Sequence, residues 1–76
     1  MPKLPVVAPK RFVKLLLKLG FRYSHANGSH QYYIDTNKRI VCVAMHNRDI
    51  PKGTLLAMVK DIGLTKEGFI SLLREA

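Results

Sequence analysis

Asn27-Gly28 stands between two short runs of aromatic and polar residues, FRYSHA and SHQYYID. Such a dipeptide between strand-like runs is the strongest short-range signal for a tight hairpin, because both residues tolerate a left-handed backbone. A chain that turns back on itself here commits to an antiparallel sheet. With only Asn27 and Gly28 in the turn, Ala26 falls opposite Ser29 and His25 opposite His30. Side chains alternate along a strand, so Phe21, Tyr23 and His25 would share a face with His30, Tyr32 and Ile34. Asp35-Thr36-Asn37-Lys38 offers a second turn, and RIVCVAM (39–45) reads as a third strand rich in β-branched residues. The expectation is a three-stranded meander, covered by helix on one face and partly open on the other.

Helical patterns flank this meander. PKRFVKLLLKL (9–19) begins with a proline, whose missing N–H costs nothing in a first turn, and Gly20 supplies the stop. At 100° per residue, Phe12, Leu15, Leu16 and Leu19 share one face, with Val13 and Leu17 at its edge. Lys10, Arg11, Lys14 and Lys18 gather on the opposite face. Downstream, DIPKGTLLAMVKDIG reads as a helix with Asp49 as N-cap, Pro51 in the first turn and Gly63 at the end. Leu55, Met58, Val59 and Ile62 form its apolar stripe. A last helix, Lys66 to Glu75, starts from Thr65 and offers Phe69, Leu72 and Leu73. The order is α-β-β-β-α-α, an α+β fold. Residues 1–8, broken up by Pro2 and Pro5, read as a poorly ordered lead-in to one domain over 9–76.

A chain of 76 residues has one thin core and no room for a separate cofactor domain. Any active site is therefore shallow and acts on something that lies across the surface. Thirteen Lys and Arg face five Asp and Glu, a formal net charge of +8, and the first acid in the chain is Asp35. A helix built for solubility alone would mix both signs. This balance is the footprint of a nucleic-acid binder, although it also suits an acidic protein or an anionic membrane. The single cysteine, Cys42, excludes an internal disulfide and a Cys-based zinc site. His25, His30 and His46 have no zinc-site spacing, so no metal or other cofactor is expected. No apolar run approaches the ~20 residues of a membrane span, and MPKLPVVAPK lacks the apolar stretch of a signal peptide. A soluble, cytoplasmic protein is the expectation, and the sequence leaves homo-oligomerisation open.

Four motifs in order carry a family resemblance: Gly20-Phe21-Arg22, Gly28-Ser29-His30, a valine-rich strand ending in His46, and Lys52-Gly53-Thr54-Leu55. Together they resemble the HicA-type (YcfA-like) mRNA interferase toxins over residues 9–73. The resemblance implies a fold like a double-stranded RNA-binding domain, endoribonuclease activity on mRNA and neutralisation by a HicB-type antitoxin. It places the functional histidine of the Gly-Ser-His motif at His30. The chain departs from the family pattern at Ala44, where proline is frequent, and at Cys42, where a hydroxyl residue is common.

Metal-independent RNA cleavage needs a base for the 2′-hydroxyl proton, an acid for the departing 5′-oxygen, and stabilisation of the phosphoryl charge. Histidine serves either proton role near neutral pH. His30 is thus the candidate catalytic residue, and His46 and His25 are the candidates for a second proton carrier. Lys52, Gly53 and Thr54, on the first turn of a helix, are either a phosphate seat of exposed amides plus a cation or a plain helix start. Lys10, Arg11, Lys14, Lys18 and Arg22 would track backbone phosphates. Tyr23, Tyr32 and Tyr33 could stack bases, although at least one must belong to the core. The alternative to a nuclease is a non-catalytic RNA-binding module with the same fold.

Overall fold

The structure, a computed structural model, describes residues 4–75. Six elements follow in the expected order: α1 (Pro9–Lys18), β1 (Arg22–Asn27), β2 (His30–Ile34), β3 (Ile40–Ala44), α2 (Lys52–Asp61) and α3 (Lys66–Glu75). The strands form one antiparallel sheet in the order β1-β2-β3. The molecule is an α+β fold whose three helices stand beside a meander.

Both glycine stops work by one device. Gly20 (φ 96°) and Gly63 (φ 79°) take the left-handed conformation just past α1 and α2. Phe21 N–H then reaches Leu16 C=O at 2.9 Å and Gly20 N–H reaches Leu17 C=O at 3.2 Å. Leu64 and Gly63 repeat the pattern on Val59 (3.1 Å) and Lys60 (2.9 Å). These paired bonds satisfy carbonyls that a helix end otherwise leaves without donors. At the first stop they also turn Phe21 into the core, where it is 5% exposed. At α3, Thr65 Oγ1 accepts the Gly68 N–H at 3.0 Å, the side-chain cap its position implies.

α2 begins differently from the sequence expectation. Pro51, not Asp49, is the capping residue, with extended backbone (φ −57°, ψ 144°) and no side-chain cap hydrogen bond. The reason is local. A residue before proline is pushed out of the helical region, so Ile50 cannot be a first helical residue. Its N–H instead donates to Val7 C=O at 2.9 Å. Val7 is fully buried, so the segment just before α1 contributes to the core. Residues 1–3 of the expected lead-in lie outside the described residues.

The hairpin differs by one residue. Asn27 pairs with His30, so the turn is Gly28-Ser29 rather than Asn27-Gly28. Gly28 has φ 63° while Asn27 and Ser29 have none of the left-handed values. One left-handed residue at the first turn position, filled by glycine, is a type II′ arrangement and spares Asn27 the steric cost of the left-handed region. A second irregularity follows. The register slips between Tyr23 and His25, leaving Ser24 as a bulge. Past the bulge Tyr23 pairs with Tyr33, while the shifted turn already places His25 opposite Tyr32, not His30.

Alternation in β2 and β3 sorts the two sheet faces. Tyr33, Val41 and Val43 are buried against the helices, with Phe12, Leu15 and Leu16 of α1 and Leu55, Met58 and Val59 of α2 in the same core. His30, Tyr32, Cys42 and Ala44 point to the opposite, open face. Phe12 and Phe69 pack with ring centroids 5.8 Å apart, which ties α3 to α1.

Candidate functional site

His30 is the first residue of β2 and is exposed at the hairpin mouth. The pairing of β2 with β3 brings Ala44 opposite it. One further bond, Met45 N–H to Ser29 C=O at 2.7 Å, clamps the turn to the exit of β3. The chain then bends, with His46 N–H donating to Ala44 C=O at 3.1 Å. The result is two imidazoles with centroids 6.4 Å apart and planes at 83°. Both line a cavity of about 460 Å³, walled also by Ala44, Arg48, Thr54 and Met58.

The start of α2 forms one side of this cavity. The first intrahelical bond runs from Leu55 N–H to Pro51 C=O at 2.8 Å. The amides of Lys52, Gly53 and Thr54 precede it and have no helical acceptor, and Pro51 offers no capping side chain. All three residues are exposed, and Thr54 lies in the cavity wall. Unpaired N–H groups at a helix start carry partial positive charge and favour an anion. Arg48 adds a full positive charge to the same wall, while Asp49 adds an acid.

The family model for the HicA toxin of bacterial toxin–antitoxin systems matches residues 9–64. The chain belongs to the HicA toxin family. The match runs from α1 through α2 and so contains every residue of the cavity wall named above. Family membership makes the chain a toxin of a toxin–antitoxin system, with an antitoxin as its partner in general terms. No curated protein matches the chain. No helix among the described residues is long and apolar enough to cross a membrane.

Of the residues singled out in the sequence, the HicA fold brings His30, His46 and Thr54 to one cavity and leaves His25 outside it. His25 stacks on Tyr32 instead, with ring centroids 4.5 Å apart and planes at 9°. The shifted turn is the cause: with Asn27 paired to His30, His25 falls opposite Tyr32, two residues along β2 from His30. The tyrosines also separate. Tyr33 is the core member at 5% exposure, its hydroxyl donating to Gln31 Oε1 at 2.8 Å, whereas Tyr23 is 54% exposed and Tyr32 half-buried. Burial, and then the neighbouring Tyr23, push the Tyr33 phenol above its usual value. Tyr32 is also raised, by a hydrogen bond with the Cys42 thiol and by its charge when ionised.

The basic residues are not equivalent. Lys10, Lys14 and Lys18 are exposed on the side of α1 that faces away from the sheet, and Arg22 is exposed on β1. Arg11 is committed elsewhere: its Nη2 donates to Leu73 C=O at 3.3 Å and ties α1 to the end of α3. Arg48 had not been singled out, although a cation two residues beyond His46 and before the Ile-Pro step was a visible signal. No group of three His, Cys, Asp or Glu among the described residues is placed to hold a metal ion.

Proposed function

We propose that this HicA-family chain is an mRNA interferase, an endoribonuclease that cuts RNA by acid–base chemistry centred on His30. The observation that carries the reading is the pair of imidazoles, His30 and His46, facing one cavity beside an uncapped helix start. One histidine takes the proton of the ribose 2′-hydroxyl, the 2′-oxygen attacks phosphorus, and the P–O5′ bond breaks. The other histidine gives a proton to the leaving 5′-oxygen. The products are a 2′,3′-cyclic phosphate and a 5′-hydroxyl, so atoms and protons balance without a co-reactant. The amides of Lys52, Gly53 and Thr54, with the Arg48 guanidinium, stabilise charge on the phosphoryl oxygens. Exposed Lys10, Lys14, Lys18 and Arg22 hold the rest of the strand by its phosphates. Neutralisation by a HicB-type antitoxin covering the histidines fits the exposed position of His30 and the net charge of +8.

The test is labelled RNA incubated with the protein in a chelator. The interferase shortens the RNA, and a folded His30→Ala variant leaves it intact and no longer arrests growth on expression. A wild-type protein that shifts the RNA band without shortening it is the non-catalytic binding module, and the nuclease reading fails.

A further inference from the structure

The His25–Tyr32 stack has no part in the chemistry above. A cross-strand aromatic pair normally packs toward a core, yet here His25 is exposed and Tyr32 only half-buried, next along β2 to the buried Tyr33 that faces the core. Tyr32 covers one side of the His25 ring, and the residue as a whole is exposed. Ser24 Oγ lies 3.0 Å from His25 Nδ1 and holds the ring in its plane. Tyr32 follows His30 by two residues on the same strand and the same face, a separation of about 7 Å. A flat, oriented, solvent-facing aromatic pair thus stands beside the histidine proposed to move protons.

We infer that the His25–Tyr32 pair is a stacking platform for an unpaired nucleobase adjoining the cleaved phosphodiester, so that the toxin takes RNA as single strand. The inference rests on the nuclease reading for its neighbouring phosphate. Bases inside a duplex are already stacked on one another and cannot offer a face to a side chain, whereas bases of a single strand can be splayed onto aromatic rings. Aromatic stacking tolerates any base, because every base has a π-face. The platform therefore selects strand state more than sequence. A protein with a net charge of +8 supplies the phosphate attraction that such a platform needs.

The experiment uses the full chain carrying His30→Ala, which binds without cutting, and a short single-stranded RNA containing 2-aminopurine. Binding is expected to quench the 2-aminopurine fluorescence severalfold. Adding His25→Ala, or His25→Leu to preserve apolar packing in the hairpin, should abolish the quench and weaken single-strand affinity roughly 5- to 150-fold. His25→Phe should retain both, and affinity for a duplex of the same sequence should not change. Thermal unfolding of each variant identifies those that are folded. The inference is overturned if folded His25→Leu binds single strand as tightly as its parent with the quench intact. It is equally overturned if duplex affinity falls in parallel, or if the substitution abolishes antitoxin binding while RNA binding persists. Wild-type protein that leaves RNA whole in the cleavage assay counts against the nuclease alone, since stacking is read here without any cutting.

Discussion

Met45 donates its backbone N–H to the carbonyl of Ser29 at 2.7 Å, and this one bond aligns the hairpin turn with the exit of β3. His30 follows Ser29 and His46 follows Met45, so the bond sets the two imidazoles side by side. The proposed proton transfers depend on backbone pairing more than on any contact between the rings themselves.

His46→Ala should lower cleavage by roughly 10²–10⁴-fold while RNA affinity changes little. Groups that act as a unit are strongly non-additive, so His30→Ala/His46→Ala should cost scarcely more than the worse single change. Single-turnover cleavage of a labelled oligonucleotide gives the answer. An unchanged rate in His46→Ala removes this residue from the chemistry.

Lys14 and Arg11, neighbours on α1, should respond differently to truncation. Lys14→Ala is expected to weaken RNA binding uniformly across sequences and to reduce the salt slope of affinity by about 1. Arg11→Ala breaks the hydrogen bond to Leu73 C=O, and the expected loss is stability, on the order of 1 kcal/mol. Urea unfolding paired with a salt titration distinguishes the two. Equal effects on affinity would mean that Arg11 leaves α3 to reach RNA.

Lys38 has φ 63° in the turn between β2 and β3, a conformation that costs a side chain about 1–2 kcal/mol. The turn holds it there. Asp35 Oδ1 accepts the N–H groups of Asn37 (3.0 Å) and Arg39 (2.7 Å), and Asp35 Oδ2 lies 3.4 Å from Arg39 Nε. Lys38→Gly should therefore stabilise the fold by roughly 0.5–1 kcal/mol once the extra freedom of the unfolded glycine is subtracted. A lower thermal midpoint would contradict this account of the turn.

Alkaline stability should report Tyr33. Its raised phenol means that the folded protein keeps a proton which the unfolded chain sheds near its ordinary value of 10.0. The unfolded state then binds fewer protons, so stability is full below about pH 10 and declines as pH rises past it. Tyr33→Phe should flatten that decline, although it loses the hydrogen bond to Gln31. Urea midpoints at pH 9 and pH 11 for both proteins decide it, with parallel declines as the contrary result.

The features legible before folding were those written into neighbouring residues. The period of Phe12, Leu15 and Leu16 foretold a buried face, Gly20 and Gly63 foretold stops, and Thr65 foretold a cap. The family motifs named His30 as a candidate, and the fold exposes it at the hairpin mouth. The failures share a cause. Asn27-Gly28 is a good turn in isolation, but the bond between Met45 and Ser29 and the glycine at 28 favour the turn one residue later. Asp49 is a good cap in isolation, but Pro51 and the bond between Ile50 and Val7 keep the chain extended past it. The sequence could not say which tyrosine was core, because Tyr33 faces the core only through the register that pairs it with the buried Val41.

Local chemistry alone was enough to specify six elements, their order and a cationic, cysteine-poor surface, since periodicity, glycine and proline act within a few residues. Which histidines meet was decided only on assembly. A one-residue slip in pairing sends every later side chain to the other face of a strand, and what prevents or permits that slip is contact between residues far apart in the chain.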